Sequence, residues 1–283
     1  MGNSFKVIKV TRQCPLCGSC QAHFLHEMKD AETGDPFLPS QYKIVCCANC
    51  HFLFNDFSGD SDGFRKHYRQ ILKYANPSLS GGGGSSVSEE QIWQSCFSML
   101  KKYIPDQTIA VLDLGCGKGG FLKYFKKQGY SNLFGVDYSE PCIRNLQQYG
   151  IDGMSGDGRN LLPEKQFDLI LSTGVFEHLV DPCNVLQMIC SHLKPGGFIC
   201  LVVPDANKYK CSTEAPYYYF DREHINHFDR HSLSLLGRLF SLTSILIHSC
   251  GFPLVNGTRI QYDLVAIFQK KKENAIPKPM IKY

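Results

Sequence analysis

Charge is sparse in this sequence: 20% of its 283 residues are Asp, Glu, Lys or Arg, the formal balance is +4, and no long run of one sign occurs. A chain without a basic stripe lacks the electrostatic footprint of a nucleic-acid or anionic-membrane binder, so polymer partners are disfavoured. Long apolar runs are missing too. The longest, near FICLVV, falls far short of the roughly 20 residues a membrane-spanning helix needs. The first residues, MGNSFKVIKV, carry no signal-peptide core, and Lys6 stands where a myristoylation motif requires Ser or Thr. These absences predict a cytoplasmic protein with no membrane partner. Hydrophobic residues make up 43%, enough for one large α/β domain and a small module.

Cysteine, in contrast, is plentiful, with fourteen in the chain. Two C-x-x-C pairs fall in the first fifty residues, Cys14-Pro-Leu-Cys17 and Cys47-Ala-Asn-Cys50. Four thiolates on two tight turns can surround a tetrahedral Zn²⁺ with no open position, the arrangement of a structural zinc ribbon. Cys20, Cys46 and His51 are close enough in sequence to be alternative ligands. The remaining cysteines sit in apolar segments, where the residue behaves as a small hydrophobe, so a disulfide framework is not expected.

Beyond this module, FRKHYRQILKYA has helical spacing of Phe64, Tyr68, Ile71 and Leu72, and then comes NPSLSGGGGSSVS, read as a flexible joint. The GGGGSS run has the composition of an inserted linker and is given no functional weight. We therefore divide the chain into a zinc-binding module with helical connection (1–78), a linker (79–88) and a second domain (89–283). From Glu89, EEQIWQSCFSMLKKYI reads as an amphipathic helix; thereafter strands and helices alternate, the pattern of a parallel sheet wrapped by helices. The strands read are IAVLDLG, NLFGVDY, a short one near GIDGMSGD, FDLILST, FICLVVP, SLTSILIHS and QYDLVAIFQ. The last two are too close for a parallel crossover and must pair antiparallel. LKPGG is read as the turn before the fifth strand.

VLDLGCGKGG satisfies both G-x-G-x-x-G and G-x-G-x-G. Such glycines let a strand turn sharply into a helix and admit a ligand against bare backbone, which says only that the loop is nucleotide-like. The choice comes from charge. Asp113, two residues before Gly115, would repel a pyrophosphate but attract a ligand carrying an ammonium and a sulfonium, favouring S-adenosylmethionine over NAD. Asp137 closes the second strand where a carboxylate can accept from both ribose hydroxyls. Asp157, in SGDG after the third strand, could accept the adenine amino group.

VLDLGCGKG, GVDYSE, GDGRNL, FDLILSTGVFEHLVDP and LKPGGFICLVVPD together resemble the ordered motifs of class I S-adenosylmethionine-dependent methyltransferases, over about the last two thirds of the chain. The resemblance implies a Rossmann-like seven-stranded mixed sheet with an antiparallel last strand. It also implies cofactor contacts from Asp113, Gly115, Gly117, Asp137 and Asp157, with Tyr138 over the adenine face; Cys116, Gly119, Gly158 and Thr173 fall in the same turns. CPLCG, YKIVCCANCHFLF and HYRQILKY look like the zinc-bearing start of a bacterial group that includes sugar-nucleotide C-methyltransferases and other small-metabolite methyltransferases. In that group the metal holds the module, which helps close the acceptor site.

APYYYFDREHINHF follows the fifth strand and so belongs at the carboxyl edge of the sheet. In-line methyl transfer requires alignment of acceptor and sulfonium and removal of the acceptor's proton. His224 beside Glu223, with His227 and Tyr219, forms the candidate catalytic set. The sugar C-methyltransferases carry a comparable Glu-His pair with a tyrosine two residues earlier; Asp221 stands there in this chain. His224 and His227 can equally serve structural roles, and Glu177-His178 reads as structural or cofactor-lining. The leading expectation is methylation of a small-molecule acceptor. An RNA methyltransferase gripping its substrate with the zinc module, near Arg65, Lys66 and Arg69, is the second reading, and a non-catalytic binding protein of the same fold the third.

Overall fold

Two sheets organise the computed structural model, which describes residues 5–29, 36–59, 61–70, 82–84, 86–159, 161, 164–211, 220–253 and 260–272. The first is built from β1 (Val7–Lys9), β2 (Gln21–Lys29), β3 (Gln41–Cys47) and β4 (Leu53–Asp56), with β10 (Asn226–His227) arriving from far along the chain to pair antiparallel with β4. Each C-x-x-C turn ends on a residue in the left-handed region, Gly18 at φ 72° and His51 at φ 61°. Their amides close the turns onto the Cys14 and Cys47 carbonyls at 2.8 and 3.1 Å. Helix α1 (Ser61–Gln70) follows. The remainder of the helical segment expected to Ala75 lies outside the described residues.

In the second sheet, the order is β11-β12-β9-β8-β5-β6-β7, from β5 (Val111–Leu114), β6 (Leu133–Asp137), β7 (Asp152–Ser155), β8 (Phe167–Thr173), β9 (Leu193–Pro204), β11 (Leu242–Pro253) and β12 (Ile260–Lys270). β12 runs antiparallel to both of its neighbours, while the pairings among β5 to β9 are parallel. This is the seven-stranded mixed sheet with an antiparallel last strand that the motifs imply. LKPGG departs from expectation. It lies inside β9 as an irregularity: opposite β8 the partners jump from Leu193 to Phe198, and Gly196 takes φ 80°.

Side chains alternating along the strands feed two apolar layers. Leu112, Leu114, Ile170, Ile199, Leu201, Leu264 and Phe268 pack beneath α5 (Pro182–Ser191) and α6 (Arg230–Leu239). Val111, Leu169, Leu171, Val202, Val265 and Ile267 meet α2 (Val87–Leu100), α3 (Gly120–Lys127) and α4 (Glu140–Gln148) on the other face. α2 starts two residues before the expected Glu89 because Ser86 and Glu89 form a reciprocal capping box, each satisfying a backbone N–H of the first turn.

Candidate functional site

The strand order reverses between β5 and β8, and the crevice at the carboxyl ends of these strands is where open α/β sheets bind ligands. A cavity of about 310 Å³ lies there. Its floor comes from Asp113, Gly115, Cys116 and Gly117 at the end of β5, Asp137 and Tyr138 at the end of β6, and Thr173 and Gly174 at the end of β8. Gly115, Gly117 and Gly119 have φ values of 75°, 50° and 75°, a conformation side chains oppose. A Cβ on Gly117 would also strike the Gly82 carbonyl oxygen. Gly82 and Gly83 come from the glycine run given no functional weight above, and both line the cavity. The Lys118 and Gly120 amides donate to their carbonyls at 3.0 and 2.9 Å, and the Gly83 amide donates to Glu89 at 2.8 Å, so the α2 cap holds this segment over the loop.

Asp113 is 3% exposed, and burial, with the neighbouring charge of Asp137, pushes its carboxyl up to about 7. Asp137 is raised by burial, while the amides of Gly117 and Ser139, each at 2.8 Å, pull it back down. Gly119 caps α3 beside this floor. Asp157 and Gly158 are not in the cavity wall; Asp157 pairs with Arg159 at 2.6 Å and lies 3.9 Å from Arg65, whose guanidinium also pairs with Asp62. The Thr173 hydroxyl and Glu177 Oε2 are buried with no hydrogen-bond partner among the described residues. Orphaned polar atoms of this kind in a cavity wall mark a place that a ligand completes. A cradle of bare backbone, a buried carboxyl at the glycines and these two atoms together suit S-adenosylmethionine.

The far wall carries groups that the motif spacing did not single out as chemical. A single 3-10 turn, Phe176–His178, brings Glu177 and His178 into the cavity. β12, because it runs antiparallel, delivers its first residues to the same end, placing Gln261 and the 2%-exposed Asp263 in the wall. Burial raises Glu177 to about 7 and Asp263 to about 6. Phe64 and Tyr68 of α1, together with Trp93 of α2, contribute apolar surface.

His224 lies behind this wall, its ring stacked on His178 with centroids 4.7 Å apart and planes at 26°. His178 Nδ1 meets the Glu223 carbonyl at 2.9 Å. His224 Nδ1 lies 2.8 Å from Asp221 Oδ2. Burial works to lower the His224 pKa, but Asp221, Glu177 and Glu223 outweigh it and hold it above the ordinary value. His178 goes the other way, to about 3, by burial and the nearby charge of His224. Glu177, His178 and His224 each bring a donor atom within 4.8 Å of the others. Stacked rings direct their in-plane lone pairs along nearly parallel planes, so one ion cannot be coplanar with both; the cluster suits a proton better than a metal. Glu223 turns away, 3.6 Å from His67. His227, on β10, is buried with Nε2 at 2.9 Å from Asn55 Oδ1 and Nδ1 at 3.3 Å from the Tyr209 hydroxyl, and burial lowers it to about 3. Tyr219 lies outside the described residues.

The four cysteines of the two knuckles converge in the first sheet, with Cys14 and Cys50 sulfurs 3.5 Å apart and Cys17 and Cys47 3.4 Å apart. Tetrahedral zinc with Zn–S bonds of about 2.3 Å implies sulfur separations of roughly 3.8 Å, so the donor set fits such an ion. Cys46 instead points its thiol at the His51 carbonyl, and Cys20 is exposed.

A doubly wound sheet with this glycine loop and acidic crevice defines a methyltransferase domain of the S-adenosylmethionine-dependent type. The family model described as "Methyltransferase domain" matches residues 89–243, more than half of the chain, and the protein belongs to that family. Trans-aconitate 2-methyltransferase of Azoarcus sp. (strain BH72) is 29% identical over 124 residues, 42% of this chain and 49% of its own. The tRNA U34 carboxymethyltransferase of Pseudoalteromonas translucida (strain TAC 125) is 30% identical over 156 residues, covering 50% and 47%. The chain thus spans about half the length of the curated relatives it matches. Among solved structures, Burkholderia thailandensis 1,6-didemethyltoxoflavin-N1-methyltransferase, with bound 1,6-didemethyltoxoflavin and S-adenosylhomocysteine, superposes with a TM-score of 0.58 over 86% of this chain and 100% of that one, at 17% identity. No helix among the described residues is long and apolar enough to cross a membrane.

Proposed function

We propose that this protein transfers a methyl group from S-adenosylmethionine to a small-molecule acceptor, of the class of a nucleotide-linked sugar or secondary metabolite, with His224 as general base. The observation that carries this reading is the single cavity shared by the glycine loop, Asp113 and Asp137 on one side and Glu177 and His178 on the other, with the His224–Asp221 pair directly behind.

S-adenosylmethionine supplies a methyl carbon on a positively charged sulfur, which departs as a neutral thioether. Asp113 and Asp137 would hold the cofactor, the first by charge and the second by accepting from the ribose hydroxyls. Tyr138, Gly115, Gly117 and Thr173 would shape its seat; Asp157, outside the cavity wall and paired with Arg159, would have to give up that pair to accept from the adenine. The Asp221 carboxylate, 2.8 Å from Nδ1, favours proton uptake by His224, which would take the acceptor's proton as the new bond to carbon forms provided the acceptor reaches past His178, the ring that separates it from the cavity. Glu177 lies close enough to favour the resulting imidazolium. His227, neutral and bonded on both nitrogens, serves this loop as a strut.

Cys14, Cys17, Cys47 and Cys50 would hold a structural Zn²⁺, since methyl transfer from a sulfonium needs no Lewis acid. In this reading the chain divides at residues 79–88, although β10 of the second domain completes the sheet of the first. The tRNA-modifying relative supports RNA as a second acceptor class; against it, Arg65 is engaged by Asp62 and Asp157. Incubation of metabolite pools and of bulk tRNA with methyl-labelled S-adenosylmethionine tests both. Label in a small product supports the reading, and label only in RNA sinks it.

A further inference from the structure

The segment Phe220–Phe228 is tied to the methyltransferase domain, through the Ile225 amide on the Glu177 carbonyl at 2.8 Å and Asn226 Nδ2 on the Phe176 and Leu179 carbonyls at 2.9 and 2.7 Å, and is held from the other side by the cysteine-bearing module. Tyr42 of β3 donates its hydroxyl to the Phe220 carbonyl at 2.6 Å, β10 pairs with β4, and Arg12 donates to the Ile225 carbonyl at 3.0 Å and to Asn226 Oδ1 at 2.8 Å. The densest anchor is Asn55, on β4, which is 1% exposed. Its Nδ2 donates to the carbonyls of both Asp221 and His224 at 3.1 Å. Its Oδ1 faces His227 Nε2 at 2.9 Å, and its backbone amide donates to the Ile225 carbonyl at 3.0 Å.

Asp221 and His224 are the two ends of one tight turn. Asp221 Oδ1 accepts from the amides of Glu223 and His224 at 2.8 and 2.6 Å, while Oδ2 faces the imidazole. A turn whose end carbonyls are held by one amide group cannot open without breaking both of those bonds. Buried hydrogen bonds of this kind are costly to leave unmade. We propose that Asn55, from the cysteine-bearing module, is a positioning residue for the methyl-transfer base: it clamps the Asp221–His224 turn and so sets the proton affinity and aim of the imidazole. The inference rests on the assignment of His224 as base.

The groups facing His224 are Asp221 and Glu223 on its own loop, His227 on β10, Glu177 and His178 on the 3-10 turn, and Asp263 of β12. The Asp221 contact is the one that the clamped turn sets most directly; Glu223 lies within the same turn, and His227 meets Asn55 through Nε2. Loss of Asn55 Nδ2 should therefore lower the imidazole pKa while the cofactor floor on β5 and β6 stays as it is.

The test is an NMR titration of the His224 ring in protein saturated with S-adenosylhomocysteine, assigned by comparison with His224→Gln. Asn55→Ala should reduce the proton affinity of His224 about tenfold, a shift of about one pH unit, with S-adenosylhomocysteine affinity within twofold of the parent. Tyr42→Phe removes an anchor at the outer end of the loop and should cost stability without moving that titration. Should Asn55→Ala fail to fold, Asn55→Ser, which fills part of the site with a hydroxyl too short to hold both carbonyls, takes its place, and a shift in the same direction is expected. A folded Asn55 variant with an unmoved His224 titration, or an equal shift in Tyr42→Phe, overturns the proposal. The readout needs no turnover. Parent protein that does not bind S-adenosylhomocysteine would count against methyl transfer instead, leaving the clamp to be read separately.

Discussion

His178 and His224 stack face to face in the wall behind the cavity, 4.7 Å between ring centroids, yet their proton affinities are driven apart. Burial and the proximity of His224 lower the His178 pKa against the pull of the carbonyl on its Nδ1; His224 has the Asp221 carboxylate and keeps its proton more readily. Two titratable groups pushed in opposite directions are how a site assigns one of them to proton transfer.

His224→Ala should accordingly reduce methyl transfer by roughly a hundredfold or more, with S-adenosylmethionine affinity unchanged. In the parent, kcat/KM should rise with pH as the imidazole gives up its proton, with the midpoint above that of ordinary histidine. A flat pH profile, or full activity in the alanine variant, removes His224 from the chemistry.

Asp113 supplies a sign that can be checked without an acceptor. With its carboxyl near 7 in the cofactor-free protein, a cationic ligand must bind the ionised form, so affinity for S-adenosylmethionine should fall as pH drops from 8 to 6, and binding near pH 7 should release a proton. Calorimetry in buffers of different ionisation enthalpy measures this. Asp113→Asn should weaken binding by roughly tenfold to a hundredfold and abolish the proton release.

The same residue opposes folding at high pH. Its folded pKa lies above the unfolded value of about 3.9, so its contribution is fully present below about pH 4 and is lost as pH rises through about 7. Asp113→Asn should be at least as heat-stable as the parent at pH 8, measured without cofactor. A clear loss of stability there would mean that the ionised carboxylate is held by partners in the fold.

Trp93, the one tryptophan of the chain, lines the cavity and stacks on Phe121 with centroids 6.3 Å apart. Titration with S-adenosylmethionine should change its emission. Gly117→Ala, which puts a Cβ at φ 50° against the Gly82 carbonyl, should lose that response at ligand concentrations that saturate the parent, while the far-ultraviolet circular dichroism stays the same.

Metal analysis should find one zinc per chain. Cys17→Ser or Cys47→Ser should lose it and lower the unfolding temperature, because the first sheet is joined across the two knuckles and ligand binding there is folding free energy. Full stability in a metal-free cysteine variant would reduce the four thiols to packing groups.

Much of this was legible in one dimension because it depends on local spacing. Strands β5, β6 and β8 announce themselves by apolar runs that end at Asp or Gly, and β12 by the run LVAIF. The glycine turn reads from its own residues, since only glycine accepts those dihedrals cheaply, and paired C-x-x-C spacing brings thiols together within a single turn. What tertiary structure alone decided is which distant segments share the cavity. Asp263 gave no signal, being one aspartate in an apolar strand; it reaches the wall because β12 runs backwards. Gly82 and Gly83 looked like spacer until the capped end of α2 folded them over the loop. Asn55 lies 166 and 169 positions in sequence from the carbonyls it clamps, and no periodicity encodes a hydrogen bond between a strand and a loop so far apart in the chain. Local backbone preference is written residue by residue, whereas the meeting of two surfaces follows from how the whole chain buries its apolar faces, and that was settled only in three dimensions.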